Sequence, residues 1–297
     1  MDFDGRVAVV TGAGRGIGRA HALLLAARGA SVVVNDLGGS MTGGGADAGP
    51  ADDVVDEINA AGGMAMADAH DVATEHGAGA LVATALDSFG RIDVVVNNAG
   101  IIRWAKFPEA DAENVDQHLG VHLRGSFFTS RAAWPHFAGQ GYGRIVNTTS
   151  SGMFGLPNNV GYATAKAAVV GLTRSLATAG AEHGIRCNLV APAAYTRMAG
   201  DLDEDSPMAT TMAPELVAPM VAFLVHEDCP VTGEIYAAGA GRFARIVIAQ
   251  AQGWVDTDGT PTVEDVAAHW DEINDESHHA VPADLMAWSA YFLSHLL

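Results

Sequence analysis

Short β-branched runs recur along the chain, separated by longer stretches whose apolar positions fall three and four apart. Residues 6–11 (Arg-Val-Ala-Val-Val-Thr) and 31–35 (Ser-Val-Val-Val-Asn) are short and almost continuously apolar, which predicts strands buried on both faces. Between them, residues 16–28 carry the alanine–leucine pattern of a helix, and Gly29 is placed to end it. Strand, helix and strand within about 30 residues predict a βαβ unit with a right-handed crossover. The alternation continues. Strands are expected at 64–69, 92–97, 144–149, 186–191 and 233–237, and helices at 51–61, 74–89, 111–138, 161–183 and 214–226. Residues 38–50 are Gly-rich without periodicity and predict a loop. The sum is an α/β fold over residues 1–240: a doubly wound parallel sheet with helices on both faces. Residues 241–297 are expected to form a helical C-terminal extension, with helices near 262–274 and 283–296.

Composition narrows the function classes. Of 297 residues, 49% are hydrophobic and 17% charged, which excludes a disordered chain. No run reaches the roughly 18 apolar residues of a membrane helix. Met1-Asp2-Phe3-Asp4 is acidic where a secretory signal would be basic, so a cytoplasmic location is expected. Lys+Arg is 16 against 35 Asp+Glu, a net charge of −19, which disfavours nucleic acid and anionic membrane as partners. Lysine occurs only at Lys106 and Lys166, and neither Lys nor Arg follows Arg245. Cys187 and Cys229 lie far apart, with no CxxC pair and no His at ligand spacing. They predict reduced, buried thiols, and no metal is expected.

Two motifs carry chemistry. Thr11-Gly12-Ala13-Gly14-Arg15-Gly16-Ile17-Gly18 joins the first strand to the first helix. Backbone N–H groups at a helix N-terminus can hold a diphosphate, and glycine lets the backbone approach it. Asp36 ends the second strand, where a carboxylate can bond ribose hydroxyls and repel a 2′-phosphate, favouring NAD over NADP. Arg15 argues the other way, as a cation able to accept that phosphate. Farther along, Tyr162-Ala163-Thr164-Ala165-Lys166 opens the long Ala-rich helix. Residues four apart share a helix face. A phenol with a free pKa of about 10 would be made more acidic by an ammonium beside it, as by the cation of an oxidised nicotinamide. That suits acid–base work. Thr148-Thr149-Ser150-Ser151, at the preceding strand end, offers hydroxyls to orient a substrate oxygen.

These motifs, with Asn97-Asn98-Ala99-Gly100, resemble the short-chain dehydrogenase/reductase family over at least residues 5–240. The resemblance implies a Rossmann fold and oxidation of a secondary alcohol to a ketone, or the reverse, with NAD(P). It makes Tyr162 the acid/base and gives Lys166 the nicotinamide ribose and the lowering of the Tyr162 pKa. It places Gly12, Arg15, Gly16, Ile17, Gly18 and Asp36 against the cofactor. It sets Asn98, Ala99 and Gly100 near the ribose, Asp71 and Val72 beside the adenine, and Pro192 through Thr196 along the nicotinamide carboxamide. A narrower likeness is to the (3R)-hydroxyacyl-CoA dehydrogenase module of peroxisomal multifunctional enzymes. It rests on residues 33–39, 121–127, 131–134 and 263–270, and implies a 3-hydroxyacyl-CoA, or a steroid alcohol, oxidised with NAD.

Three departures from the family pattern stand out. The usual serine position, 13 residues before the tyrosine, holds Thr149, with Ser150 one residue later. His122 stands where many members have an Asn that carries a proton relay, and it could hold the relay water or shuttle the proton itself. Ala193 replaces the usual Gly after Pro192. Trp104, Phe107, Phe154 and Leu156 fall at substrate-pocket positions. Coenzyme A phosphates would need cations, for which Arg103, Lys106, Arg197, Arg242 and Arg245 are the candidates. That scarcity keeps open a steroid, terpenoid or other hydrophobic alcohol, and, outside enzymes, a non-catalytic NAD-binding regulator. The family pattern also implies a homo-oligomer, usually a tetramer, and the acidic tail is a candidate cover for a neighbouring subunit's pocket.

Overall fold

The computed structural model describes residues 1–199, 206–257 and 259–296. The β-branched runs form one eight-stranded sheet. Its strands are β1 (Val7–Thr11), β2 (Ser31–Asn35), β3 (Met64–Asp68), β4 (Val94–Asn97), β5 (Gly143–Thr148), β6 (Ile185–Pro192), β7 (Ile235–Gly239) and β8 (Arg242–Ile246). The order is β3-β2-β1-β4-β5-β6-β7-β8, and every recorded pair from β3 to β7 is parallel. The direction of winding reverses between β1 and β4, so a crevice opens there beyond the carboxyl ends of the strands. The sequence reading ended the sheet at β7. Instead Ala240 (φ 49°) and Gly241 (φ 74°) make a two-residue turn with both central residues left-handed, and β8 folds back along the edge.

Valine alternation explains the layers. Val10, Val32, Val34, Val94 and Val96 join one apolar cluster, and Val7, Val9, Val33 and Val95 join the other, because successive strand residues face opposite sides. Helices α1 (Gly16–Ala27) and α2 (Gly49–Ala60) cover the first face, α3 (Glu75–Phe89) the second. Leu25 and Val54 represent the first pair, and Leu81 the third. Each such buried side chain contributes about 1.5–3 kcal/mol. The predicted helix at 111–138 is three pieces: α4 (Ala112–His118), a π-helical segment (Leu119–Arg124) and α5 (Gly125–Gln140). The catalytic candidates on the long helix sit on α6 (Val160–Gly180). Residues 207–225 are long and apolar enough to cross a membrane by length and composition. Within them α7 (Pro207–Thr211), a 3₁₀ turn (Pro214–Leu216) and α8 (Ala218–Val225) are separate elements, and α8 buries Val221 and Leu224.

The chain divides into two compact units, Met1–Arg245 and Ile246–Leu297, a boundary slightly beyond the expected 240 because the β7–β8 hairpin belongs to the sheet. In the second unit β9 (Gln250–Ala251) pairs antiparallel with β10 (His279–Ala280). The helix expected at 262–274 splits at His269 into α9 (Val263–Ala268), opened by a Thr262–Asp265 capping box, and α10 (Trp270–Ile273). The last helix, α11 (Leu285–Phe292), stacks Trp288 on Phe292.

One core position carries a pH liability. His21 on α1 is buried, neither ring nitrogen has a partner, and burial pushes its pKa down to about 3. The folded chain keeps His21 neutral, whereas the unfolded chain binds a proton below about pH 6.5. Stability through this group is therefore complete above about pH 6.5 and declines on acidification toward pH 3. Replacing His21 with Leu should shrink the loss of urea midpoint between about pH 7 and about pH 5 relative to wild type. Identical losses in both proteins would contradict the assignment.

Candidate active site

The glycine turn sits at the crevice and is held by backbone close approach. Gly12 (φ 63°) and Gly16 (φ 53°) are left-handed. A Cβ on Gly18 would lie 2.1 Å from the Gly12 carbonyl oxygen, and one on Gly12 would lie 2.8 Å from the Ala99 Cα. The end of β4 braces the turn. Asn98 Nδ2 donates to the carbonyls of Thr11 and Gly12, each at 3.0 Å, and the Thr11 hydroxyl accepts the Asn98 and Ala99 N–H groups, each at 3.0 Å. Asp36 closes the other side, its carboxylate accepting from Gly14 N at 2.8 Å and Gly38 N at 2.7 Å.

Above the turn lies a cavity of about 490 Å³. Gly12, Arg15, Gly16, Ile17 and Gly18 line it from the turn. Asp36, Asp71 and Val72 line its far end, Asn98, Ala99 and Gly100 the β4 side, and Thr196 the lip. Pro192, expected at the cofactor, is not part of this lining, because it remains paired with Ala238 at the end of β6. The Gly-rich loop, read from sequence only as a connection, supplies Ser40, Met41 and Gly43 to the wall. It is tied there by the Ile102 N–H, which donates to the Met41 carbonyl at 2.8 Å. A carboxylate at the ribose position and a helix N-terminus whose cradle any Cβ would fill suit a dinucleotide.

Tyr162 and Lys166 are not in that lining; they stand beside it at the start of α6. The Asn159 side chain caps α6 by accepting from Tyr162 N at 3.2 Å. One turn on, Lys166 is buried and its Nζ donates to the Thr148 carbonyl at 2.8 Å. Burial pushes the Lys166 ammonium down to about 7. The ammonium stands 5.7 Å from the Tyr162 ring centroid. The expected lowering of the phenol by Lys166 is not what the protein does alone. Burial raises the Tyr162 pKa, and the opposing influence is the neighbouring Ser150 hydroxyl.

Of the two candidate hydroxyls, Ser150 rather than Thr149 is the one placed toward the Tyr162 phenol. Thr149 Oγ1 is turned into the protein, donating to the Lys166 carbonyl at 2.7 Å, and the residue is 1% exposed. Ser150 Oγ accepts from Gly152 N at 3.0 Å and remains against the Tyr162 phenol. The hydroxyl nearest the family spacing therefore does structural work, and its neighbour faces the chemistry.

His122 lies edge-on to Tyr162, ring centroids 5.3 Å apart. Its Nε2 is 2.9 Å from the Ile101 carbonyl, which can only accept, so Nε2 carries the proton. Nδ1 is then a bare lone pair, buried and without a partner. Burial, reinforced by Lys166, holds His122 well below its usual basicity. Of the two roles expected for it, a neutral acceptor fits this environment and an imidazolium shuttle does not. Gly100 keeps this edge open: a Cβ there would lie 2.7 Å from His122 Cε1. Sequence reading missed His118, although its spacing four before His122 puts both on one helix face. His118 stacks on His122 at 5.9 Å, with Nδ1 2.8 Å from the Asn114 carbonyl and Nε2 accepting from Arg103 N at 3.2 Å.

Around the tyrosine, Trp104, Phe107 and Phe154 are exposed. Ala105 bridges to Asn159, which brings the 104–107 segment beside the start of α6. Of the candidate cations, Arg103 pairs with Gln117 and Glu113, and Arg245 grips Glu234 through two bonds of 2.7 Å. Cys187 and Cys229 are buried, free thiols, and burial pushes Cys187 up to about 12.

Comparison with known proteins agrees with this geometry. The family model for short chain dehydrogenases matches residues 6–207. A Mycobacterium tuberculosis protein described as a short-chain type dehydrogenase/reductase is 48% identical over 273 residues, covering 92% of this chain and 95% of that one. The hydroxyacyl-CoA dehydrogenase ChsB1 of the same organism is 36% identical over 294 residues, covering 90% of each. The solved full-length peroxisomal multifunctional enzyme type 2 from Drosophila melanogaster superposes with a TM-score of 0.82 at 35% identity, covering 100% of this chain. The chain spans 50% of that longer enzyme.

The two hydroxyls can be told apart. Ser150→Ala should lower kcat by about 100-fold. Thr149→Val should cost about 1 kcal/mol of stability in urea unfolding and leave kcat within about threefold. The reverse pattern would return the role to Thr149.

Proposed function

Because the chain belongs to the short-chain dehydrogenase/reductase family and is an NAD(P)-dependent oxidoreductase acting on CH–OH groups, we propose that it interconverts a 3-hydroxyacyl-CoA and the 3-oxo thioester with NAD. The observation that carries the reading is the Tyr162–Ser150–Lys166 group at the C-terminal edge of the sheet, beside the cavity above the glycine turn. The acyl-thioester part is supported by the relative named a hydroxyacyl-CoA dehydrogenase, matched over 90% of both chains. Asp36 supports NAD, since its carboxylate stands where a 2′-phosphate would have to fit.

The bound dinucleotide supplies the hydride acceptor and, when oxidised, a positive ring. The remaining work falls to side chains of this chain. Ser150 holds the substrate oxygen by hydrogen bonding, beside the Tyr162 phenol. Tyr162 takes the hydroxyl proton in the oxidation direction and returns it in the reverse. Lys166, fixed on the Thr148 carbonyl, offers its remaining N–H groups toward the ribose and a path for the proton. The His122 Nδ1 lone pair, which has no partner of its own, is the acceptor available at the inner end of that path. Trp104, Phe107 and Phe154 give the substrate an apolar bank.

A second reading has its own observation. Arg103 and Arg245, two of the candidate cations for coenzyme A phosphates, are engaged with the chain's own side chains. A neutral steroid or terpenoid alcohol needs only the apolar bank.

Tyr162→Phe should reduce turnover to background while leaving the NADH dissociation constant within about twofold, because the acid/base group acts on the reacting oxygen rather than on cofactor binding. The assay pairs NAD and NADP with a short-chain (3R)-hydroxyacyl-CoA, a steroid alcohol and a simple secondary alcohol. Retained turnover in the variant would remove Tyr162 from its role. Turnover confined to the steroid would select the second reading.

A further inference from the structure

Two arginines stand without partners at one cavity of a strongly acidic chain. Net charge is −19, and carboxylates take up arginines elsewhere: Arg19 pairs with Glu57, Arg91 with Asp93, Arg131 with Glu75 and Arg245 with Glu234. Among the described residues, the Arg15 and Arg197 guanidiniums make neither a hydrogen bond nor an ion pair. Both line the cavity above the glycine turn.

They reach it from two separate segments of the chain. Arg15 is the residue immediately before α1. Arg197 follows Thr196, whose Cγ2 lies 3.6 Å from where a Cβ on Gly16 would stand. The loop after β6 therefore rests on the first residue of α1. Burial lowers the Arg197 pKa, the Arg15 charge lowers it further, and Asp36 acts in the opposite sense. Asp36 is a weak counter-ion here, because its two oxygens already accept the Gly14 and Gly38 N–H groups. Two like charges held this close, one of them half-buried, are costly until an anion stands between them. A planar guanidinium offers paired N–H groups to phosphate oxygens.

We propose that Arg15 and Arg197 form a clamp on the diphosphate of the adenine dinucleotide, Arg197 being carried in by the loop after β6. The inference rests on the dinucleotide reading above. It specifies the diphosphate rather than a 2′-phosphate on two grounds. Both cations flank the N-terminus of α1, where backbone N–H groups already point at an anion. Asp36, at the ribose position, repels a second phosphate there.

The test is isothermal titration of the full chain with ADP, adenosine and adenosine 2′-monophosphate, for wild type, Arg197→Gln, Arg15→Gln and Arg197→Lys. Each glutamine variant should weaken ADP by about tenfold and leave adenosine within about twofold. Both should flatten the dependence of ADP affinity on salt, since a screened charge has been removed. Arg197→Lys should recover part of the loss, because it keeps the charge without the fork. Thermal melts check that each variant is folded. Wild-type ADP affinity in Arg197→Gln, or an equal loss for adenosine, would overturn the clamp. A larger loss for the 2′-monophosphate than for ADP would overturn its assignment to the diphosphate. Wild-type protein binding neither ADP nor NADH would bring down the dinucleotide reading itself.

Discussion

The site depends on how closely the glycine turn packs against the end of β4. Gly18 has room for no side chain beneath the Gly12 carbonyl, and Gly12 has none beside Ala99. Asn98 and Thr11 then fasten the two segments with four hydrogen bonds of 3.0 Å. This contact lies where the sheet reverses its winding, so it fixes the N-terminus of α1 against the segment that leads through Gly100 to His122 and Tyr162. A Cβ inserted at Gly12 or Gly18 would separate the binding half of the site from the reacting half. Asn98 thus acts mainly by shaping the cradle, although it also lines the cavity.

Much of the fold was legible because valine alternation and glycine placement are local signals. The strand at 31–35 was read to the residue, and Gly29 falls just past α1 with φ 96°, as a helix-ending glycine should. What stayed hidden was set by tertiary contact. The π-helical segment at Leu119–Arg124 breaks a run that looks uniformly helical, and no composition signal marks it. The place of the loop at 38–50 on the cavity wall depends on tertiary bonds such as that from Ile102 N to the Met41 carbonyl, which periodicity cannot reveal. The choice between Thr149 and Ser150, which spacing along the chain leaves open, turns on a tertiary contact as well: the Lys166 carbonyl captures Thr149 Oγ1.

Histidine placement shows the same division between pattern and packing. His118 and His122 share a helix face by spacing alone, yet their tautomers follow from Asn114, Arg103 and Ile101, residues brought together by the fold. His118 has both ring nitrogens engaged and serves as a strut between α4 and the 101–103 segment. His122 has one nitrogen left over, and only that one can take part in proton traffic.

Electrostatics gives these parts an order of action. Burial drives Tyr162 toward its neutral phenol and weakens the charged form of Lys166, so the protein by itself disfavours the phenolate that the proposed oxidation would use. On the proposed reading, a positive ring beside the phenol would oppose that preference, since an opposite charge favours the phenolate, and a reduced, neutral ring would leave the phenol protonated. With Lys166 on Thr148 and both Arg15 and Arg197 on the cavity wall, positive charge lies along the path a dianionic cofactor would occupy.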